Sequence, residues 1–341
     1  MRLIVVGAGW AGQRHVEAAR AVQRRGGECE VAALVDTDAR HLAAKAEQWQ
    51  IPGSYTDLEQ AIQSCPDVQA VVIATPHHLH RVQTEIAAGS GLHVLVEKPI
   101  TVTLTDADAM IAACNQAGVT LMVAEIARYH LANIAARDAI VAGRIGQVLS
   151  GRICLIGKGR HSYAYPGRRS WLADPETPGA GIWMLNGIHR MSVARMLLGE
   201  VRAIYAREVH SEQYQSPLEA TVVAMLSFDS GAEVTMTVSA ELHGYKRFGD
   251  TLIFGSEGTL HLPQSSDDLT IYGSGEPETI ALGQADDERA LGSFVRQMEE
   301  FISAADHHRE PATGGVSERK SLAAILAGYE SIRTHRHIVL G

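Results

Sequence analysis

At 341 residues, with 46% hydrophobic and 20% charged side chains, the chain reads as a soluble globular protein of two domains and not as a disordered one. A formal net charge of −9 argues against a nucleic-acid surface, and no apolar run is long enough to span a bilayer, so neither nucleic acid nor membrane is expected as a partner. Cys29, Cys65, Cys114 and Cys154 lie far apart without metal-ligand spacing, and the amino terminus runs straight into a strand with no room for a signal peptide; reduced thiols and a cytoplasmic location are expected.

Arg2 to Val6 is apolar and β-branched, and Gly7-Ala8-Gly9-Trp10-Ala11-Gly12 follows directly, before a helical stretch from Arg14 to Val22. In a G-x-G-x-x-G turn the first glycine permits the tight turn. The second lets a pyrophosphate approach the backbone, and the third lets the helix pack close to the strand. The helix N-terminus adds unpaired N–H groups and a positive dipole end. A second strand, Val31 to Val35, ends in Asp36, where a carboxylate accepts hydrogen bonds from adenosine ribose hydroxyls and repels a 2′-phosphate. NAD is therefore the expected cofactor, with Gly7, Gly9, Trp10, Ala11, Gly12 and Asp36 as its candidate contacts. The plainer alternative is a strand–turn–helix that binds no nucleotide.

Helices are expected over Ala39 to Trp49, over Leu58 to Gln63 with Asp57 as N-cap, and over His78 to Ala88. Between the last two, Ala70 to Ala74 reads as a buried strand ended by Thr75-Pro76. His93 to Val96 is another fully buried strand, followed at once by Glu97-Lys98-Pro99. A lysine at the carboxyl edge of such a sheet stands where open α/β proteins bind ligands, and its amine is a candidate acid/base group. A surface lysine paired with Glu97 is the plainer reading. Thr105, with Asp108 three positions on, suggests a capping box for a helix through Ala117, and Leu121 to Ala124 closes the alternating pattern as one more strand. Together these predict an α/β doubly wound Rossmann domain over residues 1–125.

The texture then changes. A helix from Ala132 to Ala142 leads into strands at Val148 to Ile156, Val201 to Val209, Thr221 to Phe228, Glu233 to Ser239, Thr251 to Phe254, Thr259 to Leu262 and Leu269 to Tyr272. A helix from Ile182 to Leu198 interrupts them, and helices near Ala290 to Ala305 and Ser317 to Thr334 close the chain. This predicts an α+β domain over 126–341 built on an open, mainly antiparallel sheet, whose closing helices can pack back on the first domain.

In this order the chain carries GAGWAG, Ala74-Thr75-Pro76 with His80, Glu97-Lys98-Pro99, and Gly179-x-Gly181 with Gly187-Ile188-His189; its tail runs Arg309-Glu310-Pro311 to Glu330-Ser331. Over nearly its whole length it resembles the Gfo/Idh/MocA oxidoreductases, the relatives of glucose–fructose oxidoreductase and inositol dehydrogenase. The resemblance implies a site between a Rossmann domain and an open-faced sheet, with the sheet commonly used in oligomer contacts, here a homodimer or homotetramer. It further implies that Thr75, Pro76, His80, Glu97 and Lys98 border the cofactor and that Lys98 and His189 are catalytic. Burial and the cofactor's positive charge would lower the lysine pKa, so that it could exchange a proton with a substrate oxygen. For His189 alone, a packed helix histidine would be the plainer reading.

One departure from the family pattern stands out. Many relatives carry an aspartate four residues before the histidine, where this chain has Leu185; Asn186 can share the face of His189 and bind a hydroxyl but cannot take its proton. Lys158, Arg160, His161, Arg168, Arg169 and Trp171 form a basic, aromatic loop that could hold an anionic or sugar substrate, or be a solvated loop or subunit contact. Arg128 and Tyr129 match a family segment bordering the site, and Glu125 before them is an unusual acid at a strand end. His77, His78 and His80 lack an acidic or cysteine partner at useful spacing, so no metal is expected and the first two are read as surface residues. The reading is an NAD-dependent dehydrogenase acting on a secondary hydroxyl of a sugar, polyol or related cyclic compound, acidic or neutral. The alternatives are a redox-neutral glycoside-cleaving enzyme and, third, a non-catalytic NAD-binding regulator.

Overall fold

The structure is a computed structural model, described over residues 1–157, 167–212, 214, 217–241, 249–264, 266, 268–282 and 286–341; side chains of 167–169 and 286–290 are also outside the description. The chain divides into two compact units, Met1–Ile126 with Asp286–Arg319, and Ala127–Ala285 with Lys320–Gly341.

The first unit begins with β1 (Arg2–Val6), α1 (Trp10–Arg24), β2 (Glu30–Val35), α2 (Ala39–Gln48), β3 (Gly53–Tyr55) and α3 (Leu58–Ser64). It continues with β4 (Ala70–Ile73), α4 (His80–Gly89), β5 (His93–Glu97), α5 (Leu104–Ala117) and β6 (Leu121–Ala124). The strands form one parallel sheet in the order β3-β2-β1-β4-β5-β6. That is the Rossmann order, whose direction reverses between β1 and β4. Leu3, Ile4 and Val5 and all of Ala70–Ile73 are buried on both faces, as a sheet covered by helices requires. Asp57 caps α3 by accepting the Gln60 N–H. The capping box of α5 lies two residues earlier than Thr105: Thr103 accepts the Asp106 N–H at 3.1 Å and donates to its carboxylate at 2.8 Å. The segment Thr103-Leu104-Thr105-Asp106-Ala107-Asp108 offers the T-x-x-D spacing twice, and the first copy meets the helix start.

The second unit holds α6 (Leu131–Val141), β7 (Val148–Ile156), α7 (Ile188–Leu198), β8 (Val201–Val209), β9 (Thr221–Phe228) and β10 (Glu233–Ser239). β11 (Thr251–Gly255), β12 (Thr259–Leu262), β13 (Leu269–Tyr272) and β14 (Glu278–Ile280) follow. Its sheet runs β14-β13-β12-β11-β7-β10-β9-β8 and is antiparallel except where β10 runs parallel to β7. Alternation sorts its residues cleanly. Ile204, Leu226, Val234, Ile253, Leu260 and Ile271 are buried on one face, whereas Tyr205, Val223, Met225, Phe254 and Tyr272 are exposed on the other.

The helix expected from Ile182 to Leu198 is in two parts, a π-helical turn at Trp183–Gly187 and then α7. Its opening amides go to side chains: Trp183 N–H to Glu219 at 2.9 Å and Met184 N–H to the Tyr329 hydroxyl at 3.1 Å. Periodicity could not anticipate partners so distant in sequence.

Two further helices close the chain, α8 (Asp286–Asp306) and α9 (Gly315–Thr334), with a last strand β15 (Ile338–Val339) added beside β8. In the first unit, Phe294 of α8 packs edge-on against Trp10 and His15 of α1. Thr313 trades backbone and side-chain hydrogen bonds with Val123, which covers the open edge of β6.

Candidate active site

The glycine-rich turn is built by close approach. Gly7 has φ +101°, and a Cβ on it would run into the Ala74 carbonyl; a Cβ on Gly12 would overlap the Gly7 carbonyl oxygen. Gly9, by contrast, has open space where a side chain would be, at the N-cap of α1. The turn thus presents free volume and the first amides of α1 together, a shape and polarity that fit a dinucleotide pyrophosphate. Trp10 is exposed, with the Arg14 guanidinium 5.8 Å from its ring centre, and Ala11 is half-buried.

Asp36 sits beside this turn. Its carboxylate accepts the Ala8 N–H at 2.9 Å and the Asp38 N–H at 3.0 Å, which fixes it beside the glycine turn. His41 of α2 also reaches the turn, its Nε2 lying 2.9 Å from the Ala8 carbonyl. Sequence reasoning missed it, since a histidine five residues after Asp36 carries no signal of its own.

At the neighbouring strand ends, His80 is fully buried. Its Nε2 lies 3.0 Å from the Thr75 carbonyl and its Nδ1 3.1 Å from those of Pro99 and Ile100, so it ties the Thr75-Pro76 turn to the loop after Lys98. Burial pulls its pKa down, against those carbonyl contacts. His77 corrects the surface assignment: it is buried, its ring 5.7 Å from that of His80, whereas His78 is exposed. Burial, then the charges of His80 and Lys98, keep His77 far below an ordinary histidine pKa.

Glu97 ends β5, and the Lys98–Pro99 peptide is cis. One Glu97 oxygen lies 2.9 Å from His15 Nε2 of α1, and the other accepts the Lys98 N–H at 3.2 Å. Burial works to raise the Glu97 pKa, but the His15 hydrogen bond and charge, with Lys98, bring it below the usual value. His15 was also missed. Its spacing with Gly12, Ala19 and Val22 puts it on the buried face of α1, a position where a histidine needs a partner. Lys98 has its pKa lowered by burial, with the carboxylates of Glu125 and then Glu97 acting against that. Glu125, just past β6, has no exposed surface.

In the second unit, Arg128 donates from Nε to the Ser192 hydroxyl of α7 at 2.9 Å, and Tyr129 is buried. Asn186 lies in the π-helical turn and His189 in the first turn of α7, both half-buried, while Leu185 is buried. Trp171 is half-buried in a short 3-10 helix, Gly167–Ala173, that also carries Arg168 and Arg169 in its backbone. Lys158, Arg160 and His161 fall outside the described residues.

Residues 1–125 match the oxidoreductase family with an NAD-binding Rossmann fold named GFO_IDH_MocA, and residues 134–261 match the GFO/IDH/MocA C-terminal domain. The chain is 30% identical to D-apiose dehydrogenase of Paraburkholderia graminis, over 98% of this chain and 88% of the relative. It is 31% identical to 1,5-anhydro-D-fructose reductase of Ensifer adhaerens, over 92% and 91%. Among solved structures, aldose-aldose oxidoreductase from Caulobacter crescentus superposes with a TM-score of 0.84 at 27% identity, over 100% of this chain and 99% of that one. With the cradle at Gly7–Gly12 and the lysine at the end of β5, these likenesses establish that the chain belongs to the Gfo/Idh/MocA family of NAD-binding oxidoreductases, dehydrogenases acting on CH–OH groups.

Proposed function

We propose that Lys98 is the acid/base group of an NAD-dependent dehydrogenase acting on a secondary hydroxyl of a sugar or related cyclic polyol. The observation that carries this is a half-buried lysine, its pKa depressed by desolvation, on the same sheet edge as the glycine cradle. NAD, when bound, supplies the hydride acceptor. As the carbinol C–H bond gives up its hydride, the neutral Lys98 amine takes the hydroxyl proton and the C–O bond becomes a carbonyl. In the reverse direction the ammonium returns the proton. A lysine tuned toward neutrality suits both directions, because the efficient proton-transfer group has a pKa near the working pH. Thr75, Pro76, His80 and Glu97 border the cofactor in this reading, with Gly7, Gly9, Trp10, Ala11, Gly12 and Asp36. His189 assists Lys98 as the second catalytic group in this reading, and Asn186, His189, Arg128, Tyr129 and the basic segment from Lys158 to Trp171 bind the substrate.

The dehydrogenases and reductases of apiose, anhydrofructose and levoglucosan among the relatives favour a sugar as substrate. The second reading is a glycoside-cleaving enzyme that oxidises a sugar hydroxyl transiently, eliminates the aglycone and returns the hydride; a relative named 2,7-anhydro-N-acetylneuraminate hydratase, 26% identical over 250 residues, favours a reaction without net redox change. A screen of sugars, sugar acids and glycosides for NADH formation, with product release followed in parallel, separates the two. Net NADH in step with product supports the dehydrogenase; product without net NADH supports the alternative. No NADH and no product from any sugar class, with NAD bound, would sink both.

The chain is further proposed to work as a homodimer or homotetramer through the open sheet face of Tyr205, Val223, Met225 and Phe254. A cytoplasmic setting is proposed as well, where its four free thiols stay reduced; burial raises Cys29 to about 11 and Cys114 to about 12. Among the described residues no helix is long and apolar enough to cross a membrane.

A further inference from the structure

We propose that Glu125 is the positioning residue that holds Lys98 as a counter-ion and sets the pH at which it exchanges its proton. The inference rests on the reading of Lys98 as the acid/base group and adds the carboxylate that serves it. The strand register pairs Glu97 with Ala124, so Lys98 and Glu125 come next on the carboxyl edges of adjacent parallel strands. Glu97 is already committed: one oxygen lies 2.9 Å from His15 and the other takes the Lys98 backbone N–H at 3.2 Å. It clamps α1 to the chain at Lys98, and its charge acts on the lysine after that of Glu125. Glu125 is fully buried at that edge, where a charged carboxylate is sustained only by a nearby cation. Of the charges acting on Lys98, Glu125 is the foremost and Glu97 follows. Among the described residues, imidazoles also act at this corner: His77, which feels the charges of Lys98 and His78, His80, which feels Glu97, and His15.

The chemistry follows. When Lys98 accepts the substrate proton its new N–H bond makes an ammonium in a buried site. Glu125 stabilises that cation without taking the proton, so the amine returns it in the reverse direction. Removing the charge of Glu125 leaves burial as the dominant influence and moves the Lys98 pKa down.

The test reads that proton directly in the free protein. Acetylation of Lys98 by acetic anhydride, quantified by mass spectrometry across pH, follows the neutral amine without turnover or a known substrate. Glu125→Gln is expected to move the labelling midpoint to lower pH by about one unit or more, as loss of a nearby opposite charge does. Glu125→Asp, which keeps the charge, is expected to stay nearer the wild-type midpoint. An unmoved midpoint in Glu125→Gln, or equal displacement in both variants, would overturn the inference. Should Glu125→Gln not fold, the Glu125→Asp midpoint decides, a displacement beyond one unit counting against it. If Lys98→Met keeps full activity while the Glu125→Gln midpoint moves, the dehydrogenase reading fails and the electrostatic inference stands.

Discussion

Glu219 offers the sharpest test of how the second unit presents Asn186 and His189. Its carboxylate is buried and accepts from the Trp183 N–H at 2.9 Å and the Tyr329 hydroxyl at 2.7 Å, while Trp183 Nε1 donates to the Ile325 carbonyl at 3.0 Å. The π-helical turn is thus held at its entrance by one side chain and by α9. Glu219→Leu fills similar volume but orphans two buried donors, each costing about 1–3 kcal/mol, for about 2–6 kcal/mol in all. In a unit of about 180 residues this corresponds to a fall in Tm of roughly 5–20 °C. Glu219→Gln keeps an acceptor oxygen and should lose about 1 kcal/mol.

The pH dependence separates the two further. Burial raises the Glu219 pKa above its ordinary 4.5, so the folded state binds the proton more tightly than the unfolded chain. Stability from this group is full below 4.5 and is lost as pH rises through the raised value. Glu219→Gln should lack that decline. Thermal unfolding by circular dichroism from pH 4 upward is the assay. A Glu219→Leu variant melting within about 2 °C of wild type, or a Gln variant as damaged as the Leu one, would refute the argument.

Other outcomes follow from the first unit and the open sheet. Gly12→Ala, whose Cβ would overlap the Gly7 carbonyl, should abolish NADH binding in a fluorescence titration; unchanged affinity would mean the turn is not the cradle. Asp36→Ala should raise kcat/KM with NADP relative to NAD by at least about tenfold, because it removes the charge that repels a 2′-phosphate and a carboxylate placed for the ribose. An unchanged ratio would remove Asp36 from cofactor choice. Met225→Glu, in the centre of the apolar sheet face, should shift sedimentation toward the monomer, and an unaltered distribution would place the interface elsewhere.

Much of the Rossmann unit was legible because its signals are local. Apolar strand runs, turn glycines and the Asp57 cap each need only a few neighbouring residues. The short strands β3, β14 and β15 escaped because two or three residues carry no periodicity and pair only when a neighbour offers an edge. The helix through His189 was read as one piece because its π-helical opening is specified by Glu219 and Tyr329, 36 and 145 residues away from their partners. At the site, Lys98, Asp36 and the glycines announced themselves by position after strands. His15 and His41 became functional neighbours only through packing, and His77 looked exposed because histidines in a polar turn usually are.

Lys98 is proposed to move the substrate proton. Lys98→Met should still bind NADH yet lose about 10²–10⁴-fold in kcat, measured as NADH formation with the best substrate of the sugar screen. A Lys98→Met enzyme turning over within about threefold of wild type would contradict it, since proton transfer by the lysine is expected to supply far more than that.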